Sequence, residues 1–354
     1  MLNVLKNWFD RYLSDEEAIL FLVLLVTAFS IIIGFGQVLA PVFIALVSSY
    51  LLQGGMHFLK NRGVSHLIAT ISMFLFFVIG FLTFALIIFP AIWSQATQFI
   101  YELPQMLSSG KDVLMLLPER YPEVVTVEQI NHWTNQVTEE LAGVGQWALS
   151  ASLSSIPGVV TVLIYVVLVP ILIFFFLKDG HQIMAWMASY LPVKRNFMNK
   201  IWNEMEQQIA NYVRGKVLEI IIVGVATYIA FLIMGLNYAA LLAILVGLSV
   251  LIPYIGAAVV TVPVALIAYF QWGWPNEFIY LMAAYGIIQA LDGNVIVPLL
   301  FSEVVNLHPV AIIVAVLMFG GIWGFWGVFF AIPLATLLKA MITSWPRQSD
   351  SGAE

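Results

Sequence analysis

The sequence predicts an all-α polytopic integral membrane protein, with some helices of its C-terminal half broken or folded into re-entrant hairpins. Three observations carry this. Of 354 residues, 62% are hydrophobic and only 10% charged, and mean hydropathy is +0.97, far above a soluble globular average. Apolar runs of about 18 or more residues recur from end to end, long enough to cross a bilayer. The C-terminal runs are interrupted by proline and glycine at places where a plain spanning helix would have neither.

The elements follow in chain order. Residues 1–17 hold Lys6 and Arg11 with four acids, and no small-residue cleavage site follows the first apolar run, so Ala18–Gly36 reads as a retained first span. Val38–Leu59 is the second span, joined tightly to the first near Gly36 and Pro41, and Leu67–Trp93 the third. Residues 93–155 form an acidic helical segment with Lys111 and Arg120 against seven acids. Within it Thr126-Val127-Glu128-Gln129 has the form of a capping box, opening a helix toward Leu149, and Pro118 and Pro122 separate that helix from one around Ser94 to Leu116. Ile156–Leu177 is the fourth span.

Residues 178–216 carry six bases against three acids, and Trp202, Met205, Ile209 and Val213 recur at helical spacing. They form an amphipathic cytoplasmic helix, lying either on the membrane surface or packed on the protein. Lys6 and Arg11, Lys60 and Arg62, this basic block, and Lys339 with Arg347 fall on one side, which the positive-inside rule makes cytoplasmic. Both termini are then inside, the acidic segment is outside, and residues 343–354 are a cytoplasmic tail.

Residues 217–342 read as the transport unit. After the fifth span, Val217–Leu236, come Tyr238–Phe270, broken by Pro253 and Gly256, and Val310–Ile342, broken by Gly320, Gly321, Gly324 and Gly327. A shift of 70 positions superposes Val246 on Val316, Ile252 on Ile322, Pro263 on Pro333 and Ala265 on Ala335. Two hairpins flanking one span enter from opposite faces, the inverted repeat of many secondary transporters; four short tilted helices packed through glycine are the other reading. Between them lies Gln289-Ala290-Leu291-Asp292-Gly293-Asn294. A carboxylate at that depth costs at least about 2.5–3.5 kcal/mol, so Asp292 is the leading candidate for an ion or solute site, with Gln289 and Asn294 beside it. Gly293 and Pro298 are expected to break the helix there; the other reading of Asp292 is a turn carboxylate organising that break.

Further candidates for the solute or ion pathway are Pro253, Tyr254, Gly256, Gly320, Gly321 and Gly324, through freed carbonyls and close approach. Glu303 and His308 lie just beyond Pro298; His308 is suited to proton coupling or to capping the helix that Pro309 opens. Arg214, Lys216 and Glu219 form a candidate gate, and a Lys216–Glu219 pair one turn apart also suits a snorkelling pair at the interface, the favoured reading. Trp323 and Trp326 are candidates for solute stacking; the remaining tryptophans fit an aromatic belt.

Several activities are excluded. There is no cysteine, hence no thiolate chemistry, disulfide or cysteine metal site. The histidines lack metal spacing, and no H-E-x-x-H, Walker A or G-x-S-x-G word is present. No enzyme activity, cofactor, metal, nucleotide or nucleic-acid partner is expected, so transport is gradient-driven.

A set of ordered words covers Phe176 to Lys339: Phe176-Leu177-Lys178-Asp179-Gly180, Tyr212-Val213-Arg214-Gly215-Lys216, Ile252-Pro253-Tyr254-Ile255-Gly256, Gln289 to Asn294 with Pro298, Leu307-His308-Pro309, and Ala331-Ile332-Pro333-Leu334-Ala335. In these words the chain resembles the autoinducer-2 exporter family, and within it the PerM-type permease branch. Ala257 stands where the family usually has proline, and Lys216 where it often has glutamine. The resemblance implies a homo-oligomeric inner-membrane permease of about eight helices, in the bacterial cytoplasmic membrane, exporting small signalling molecules or exchanging sodium for protons. The expected function is a secondary permease for a small polar solute, working by alternating access around Asp292. Its alternatives are a cation antiporter using Asp292 and, from another class, a non-transporting membrane scaffold.

Overall fold

The computed structural model describes residues 15–115, 118, 126–132, 134–136, 143, 156–192, 195–301 and 307–346; these form helices and the turns between them, with no strand among them. Among the described residues, eight stretches are long and apolar enough to cross a membrane. Chain order gives α1 (Glu16–Asn61), α2 (His66–Thr83), α3 (Phe89–Leu114), α4 (Ile156–Ser189), α5 (Asn196–Ile233), α6 (Ala239–Ser249), α7 (Ile255–Trp272), α8 (Asn276–Leu291), α9 (Val297–Phe301), α10 (Pro309–Phe329) and α11 (Ala331–Ser344).

The first two expected spans are the arms of α1. Phe35 leaves helical geometry (φ −117°, ψ 17°), six residues before Pro41, and the chain folds back there. Glu17 accepts a hydrogen bond from the Met198 N–H (2.8 Å), while Tyr50 packs in the cluster around Tyr212. A straight helix would hold Glu17 and Tyr50 about 50 Å apart, whereas Met198 and Tyr212 lie about 21 Å apart on α5. The second arm then packs with α2 and α4 through Ala45, Leu52, Ala69 and Ile173.

Two π-helical turns interrupt otherwise continuous helices, at Phe84–Ile88 between α2 and α3 and at Asp292–Ile296 between α8 and α9. Each ends two residues before a proline, Pro90 and Pro298. Proline lacks an N–H and its ring crowds the carbonyl four residues back. One extra residue per turn moves that carbonyl aside and keeps the helix whole. The expected break at Gly293 is therefore absent, and the chain runs helical from Asn276 to Phe301. The third span likewise continues through the Ser94 region to Leu114.

The expected capping box forms: the Thr126 N–H donates to Gln129 Oε1 (3.0 Å) and the Gln129 N–H to Thr126 Oγ1 (3.2 Å). The rest of that helix toward Leu149 lies largely outside the described residues. The amphipathic segment before Lys216 and the fifth span are one helix, α5, of 38 residues. Its apolar stripe, Ile201 and Met205, packs on Ala340 and Met341 of α11.

Both interrupted C-terminal stretches fold as helical hairpins. In the first, α6 and α7 turn at residues 250–254, where Tyr254 adopts positive φ (65°). The 11 residues of α6 reach about 16 Å, half of a hydrocarbon core of about 30 Å. In the second, Gly324 (φ 60°) reverses the chain inside α10. Each hairpin closes through one glycine pressed on a carbonyl of the incoming arm. A Cβ on Gly256 would lie 1.7 Å from the Ser249 oxygen, and one on Gly327 would lie 1.8 Å from that of Phe319. Ser249 and Phe319 are related by the 70-residue shift of the sequence repeat.

The first hairpin lies along α5, where Gly224 and Gly247 let the backbones approach: a Cβ on Gly247 would meet the Ile220 oxygen at 2.9 Å. Its tip reaches the second hairpin, with Leu251 clustered against Ile312, Phe329 and Ile332, and Ile252 against Phe319. Its open end is held by α3. The Leu241 N–H, in the uncapped first turn of α6, donates to Gln95 Oε1 (3.0 Å), and the Tyr238 hydroxyl donates to the Glu102 carboxylate. Gln95→Ala is expected to cost about 1 kcal/mol, the value of a lost helix cap. Amide exchange at Leu241 checks it: protection there falls while protection in α10 stays unchanged.

Candidate functional site

Where the first hairpin's tip meets α5 and the helix opposite, three ionisable side chains are buried together. Lys216 is 4% exposed, Glu219 2% and Asp292 8%. Lys216 and Glu219 lie one turn apart on α5 and form an ion pair with Nζ 2.7 Å from Oε2. The same ammonium donates to the carbonyl of Val250 at the hairpin tip (2.9 Å). Its outer side faces the Phe301 ring, 5.2 Å from the centroid, a cation–π arrangement strengthened by desolvation. Phe301 is itself wedged against Gly215 and Tyr212.

Asp292 opens the π-helical turn and lies within electrostatic reach of both Lys216 and Glu219. Its Oδ1 is buried without a hydrogen-bond partner, and one turn before it, on the same face of α8, the Gln289 side chain lies within hydrogen-bonding reach of Tyr285. Above them Tyr285, also buried, lies 3.1 Å from the Thr261 hydroxyl of the first hairpin. Two carboxylates and one ammonium carry one excess negative charge when all are ionised, which a proton, a cation or a solute's donor groups can balance.

The other sequence candidates are distributed as follows. Asn294 is exposed and donates to the Ala290 carbonyl on its own helix (2.8 Å), since residues two apart point to different sides of a helix. Arg214 is exposed and bonds Ala210 and Asn211 of its own helix, apart from the buried pair. Lys216 and Glu219, favoured from sequence as a snorkelling pair at the interface, are instead enclosed, because the first hairpin docks across them. Pro253, Tyr254 and Gly256 form the first hairpin's tip, with Tyr254 exposed and Gly256 buried. Gly320, Gly321 and Gly324 lie near the second tip, where Gly320 packs on Val328 and a Cβ on Gly321 would meet nothing. His308 caps α10, its Nδ1 accepting from the Val310 N–H (3.2 Å), as proline at the next position favours. Glu303 lies outside the described residues. Trp323 and Trp326 stack with Phe43 and Phe330 against the kink of α1, and Trp323 Nε1 is buried without a partner. Val250 was not foreseen: a backbone carbonyl 34 residues from Lys216 has no sequence signal.

Two helical hairpins and a buried charged cluster in an otherwise apolar helical membrane protein are an arrangement suited to transport. The comparisons agree. The chain belongs to the AI-2E family of transporters, whose family model, described as AI-2E family transporter, matches residues 19–347. It is 48% identical over 346 residues to a protein of Escherichia coli K12 named as a permease, PerM, covering 98% of both chains. Two Bacillus subtilis proteins named as transport proteins are more distant. YueF is 28% identical over 313 residues, covering 85% of this chain and 82% of its own. YrrI is 24% identical over 311 residues, covering 87% and 86%. The chain is thus a multi-pass membrane permease of this family and not an enzyme.

Proposed function

We propose that the chain is a gradient-driven permease exporting a small polar solute across the bacterial inner membrane, with both termini in the cytoplasm and the working unit a homo-oligomer. Residues 217–342 are the transport unit, and α1, α2 and α4 are its scaffold. The observation that carries this is the placement of Asp292: a buried carboxyl with an orphaned oxygen, within electrostatic reach of a buried ion pair whose lysine holds the first hairpin's tip. A carboxyl there costs several kcal/mol unless it serves a passing solute or ion. Alternating access rocks the hairpins about this point, so that Asp292, Gln289 and the tip residues Pro253, Tyr254 and Gly256 face each side in turn.

The excess negative charge of the cluster also favours a second reading, cation–proton exchange through Asp292. Everted vesicles carrying the chain test both. Offered a panel of labelled small polar solutes from outside, they are expected to accumulate at least one, and Asp292→Asn to lower that flux roughly tenfold or more. Full flux in Asp292→Asn overturns the assignment. Acidification or alkalinisation driven by a sodium gradient, with no organic solute added, selects the exchanger.

A further inference from the structure

Lys216 joins the charged cluster to the first hairpin. Its ammonium holds Glu219 on α5 and, through the Val250 carbonyl, the tip of the first hairpin. Apart from that bond the tip is held by backbone hydrogen bonds within its own turn and by the apolar packing of Val250, Leu251 and Ile252, while Tyr254 is 65% exposed and its backbone is strained by positive φ. We propose that Lys216 is the tether of the first hairpin's tip, and that proton occupancy of Asp292 decides whether the tether is fastened. This deepens the permease reading and rests on it.

The charges set the direction. The titratable groups around Lys216 are Glu219 on its own helix, Asp292 on the helix opposite, and Tyr212, which acts on it through Glu219. With a proton on Asp292, one ammonium faces one carboxylate, the pair is balanced, and the remaining donor capacity of Nζ holds Val250. When Asp292 loses its proton, two carboxylates share one ammonium. The ammonium is drawn toward Asp292, since an unpaired charge in this setting costs several kcal/mol and a neutral carbonyl bond only about 1–3. Val250 is then released, and outside its own turn the tip is left to its apolar contacts alone. The proton moves between Asp292 and water, and no bond other than O–H is made or broken.

The absence of cysteine makes a clean test available without knowledge of the solute. Ile255→Cys at the tip and Tyr190→Cys on the exposed end of α4 are labelled with a membrane-permeant maleimide in proteoliposomes. The rate at 255 is divided by the rate at 190 to remove the ordinary pH dependence of thiols. Between about pH 6 and about pH 9 the ratio is expected to rise at least about threefold. With Asp292→Asn it stays low at every pH, and with Lys216→Gln it stays high at every pH. A pH-flat ratio in the Ile255→Cys protein, or an unchanged rise in Asp292→Asn, overturns the tether. Flux lost in Asp292→Asn beside a flat ratio leaves the permease reading standing without the tether. Full flux in Asp292→Asn removes that reading itself.

Discussion

Gly256→Ala and Gly327→Ala are each expected to disrupt the hairpin that carries them and to abolish transport. The reason is geometric. At both positions an added methyl would lie closer than 2 Å to a backbone carbonyl oxygen, Ser249 or Phe319, and backbone atoms in two packed arms have no rotamer to yield. Overpacking in a well-filled core usually costs about 1–3 kcal/mol; here the arms must separate, so each variant lies at or above that range. Three glycines serve as controls. Gly286 and Gly321 have nothing within 4 Å of an added Cβ, and in a helix alanine is favoured over glycine by up to about 1 kcal/mol. Gly286→Ala and Gly321→Ala should therefore melt at or above the wild-type temperature. Gly320→Ala falls between, since what it meets at 2.8 Å is a side-chain methyl of Val328 and not backbone. Thermal inactivation in detergent, with flux measured alongside, checks the order. Equal melting of Gly256→Ala and Gly286→Ala would show that the hairpins do not close as described.

These two glycines also mark how far the sequence could be read. Eight apolar runs long enough to span are visible as composition alone, and the interruptions at Gly256 and Gly324 correctly mark chain reversals, because proline and glycine act locally. The same local signals misled at Asp292. Gly293 and Pro298 look like a break, yet a helix accommodates a proline by one wide turn when the rest of the segment favours helix. With the helix continuous, Asn294, two residues on from the buried Asp292, points to the exposed side. Glu219 and Lys216 were visible as a pair one turn apart, but their depth was not. Depth here is set by the docking of the first hairpin on α5 through Gly224 and Gly247, a contact between segments that no spacing rule reaches. The hold of Gln95 and Glu102 on the hairpin's open end, across more than a hundred residues, was hidden for the same reason.

The buried pair yields the second large effect, and it depends on which partner remains. In an Asp292→Asn background, Glu219→Ala is expected to cost about 3–5 kcal/mol, since it strands an ammonium in a site with only the Val250 carbonyl and the Phe301 ring to receive it. With Asp292 intact, Glu219→Ala costs less, because the ammonium turns to the remaining carboxylate within its reach. The difference between the two costs is the coupling between Glu219 and Asp292 through Lys216, expected at about 1–3 kcal/mol for groups in one network. In the Asp292→Asn background, replacing both members, Lys216→Met with Glu219→Met, removes charge and counter-charge together and is expected to leave stability near that of the Asp292→Asn parent, as apolar replacements of buried ion pairs do. Transport is still lost, which separates the cluster's role in function from its role in folding. The Lys178–Asp179 pair is the comparison: at 3.7 Å and with side chains 41% and 26% exposed, its removal should change stability by less than about 1 kcal/mol. Unfolding titrations in mixed micelles measure all of these. Equal costs for Glu219→Ala with and without Asp292 would mean that the two carboxylates do not compete for one lysine.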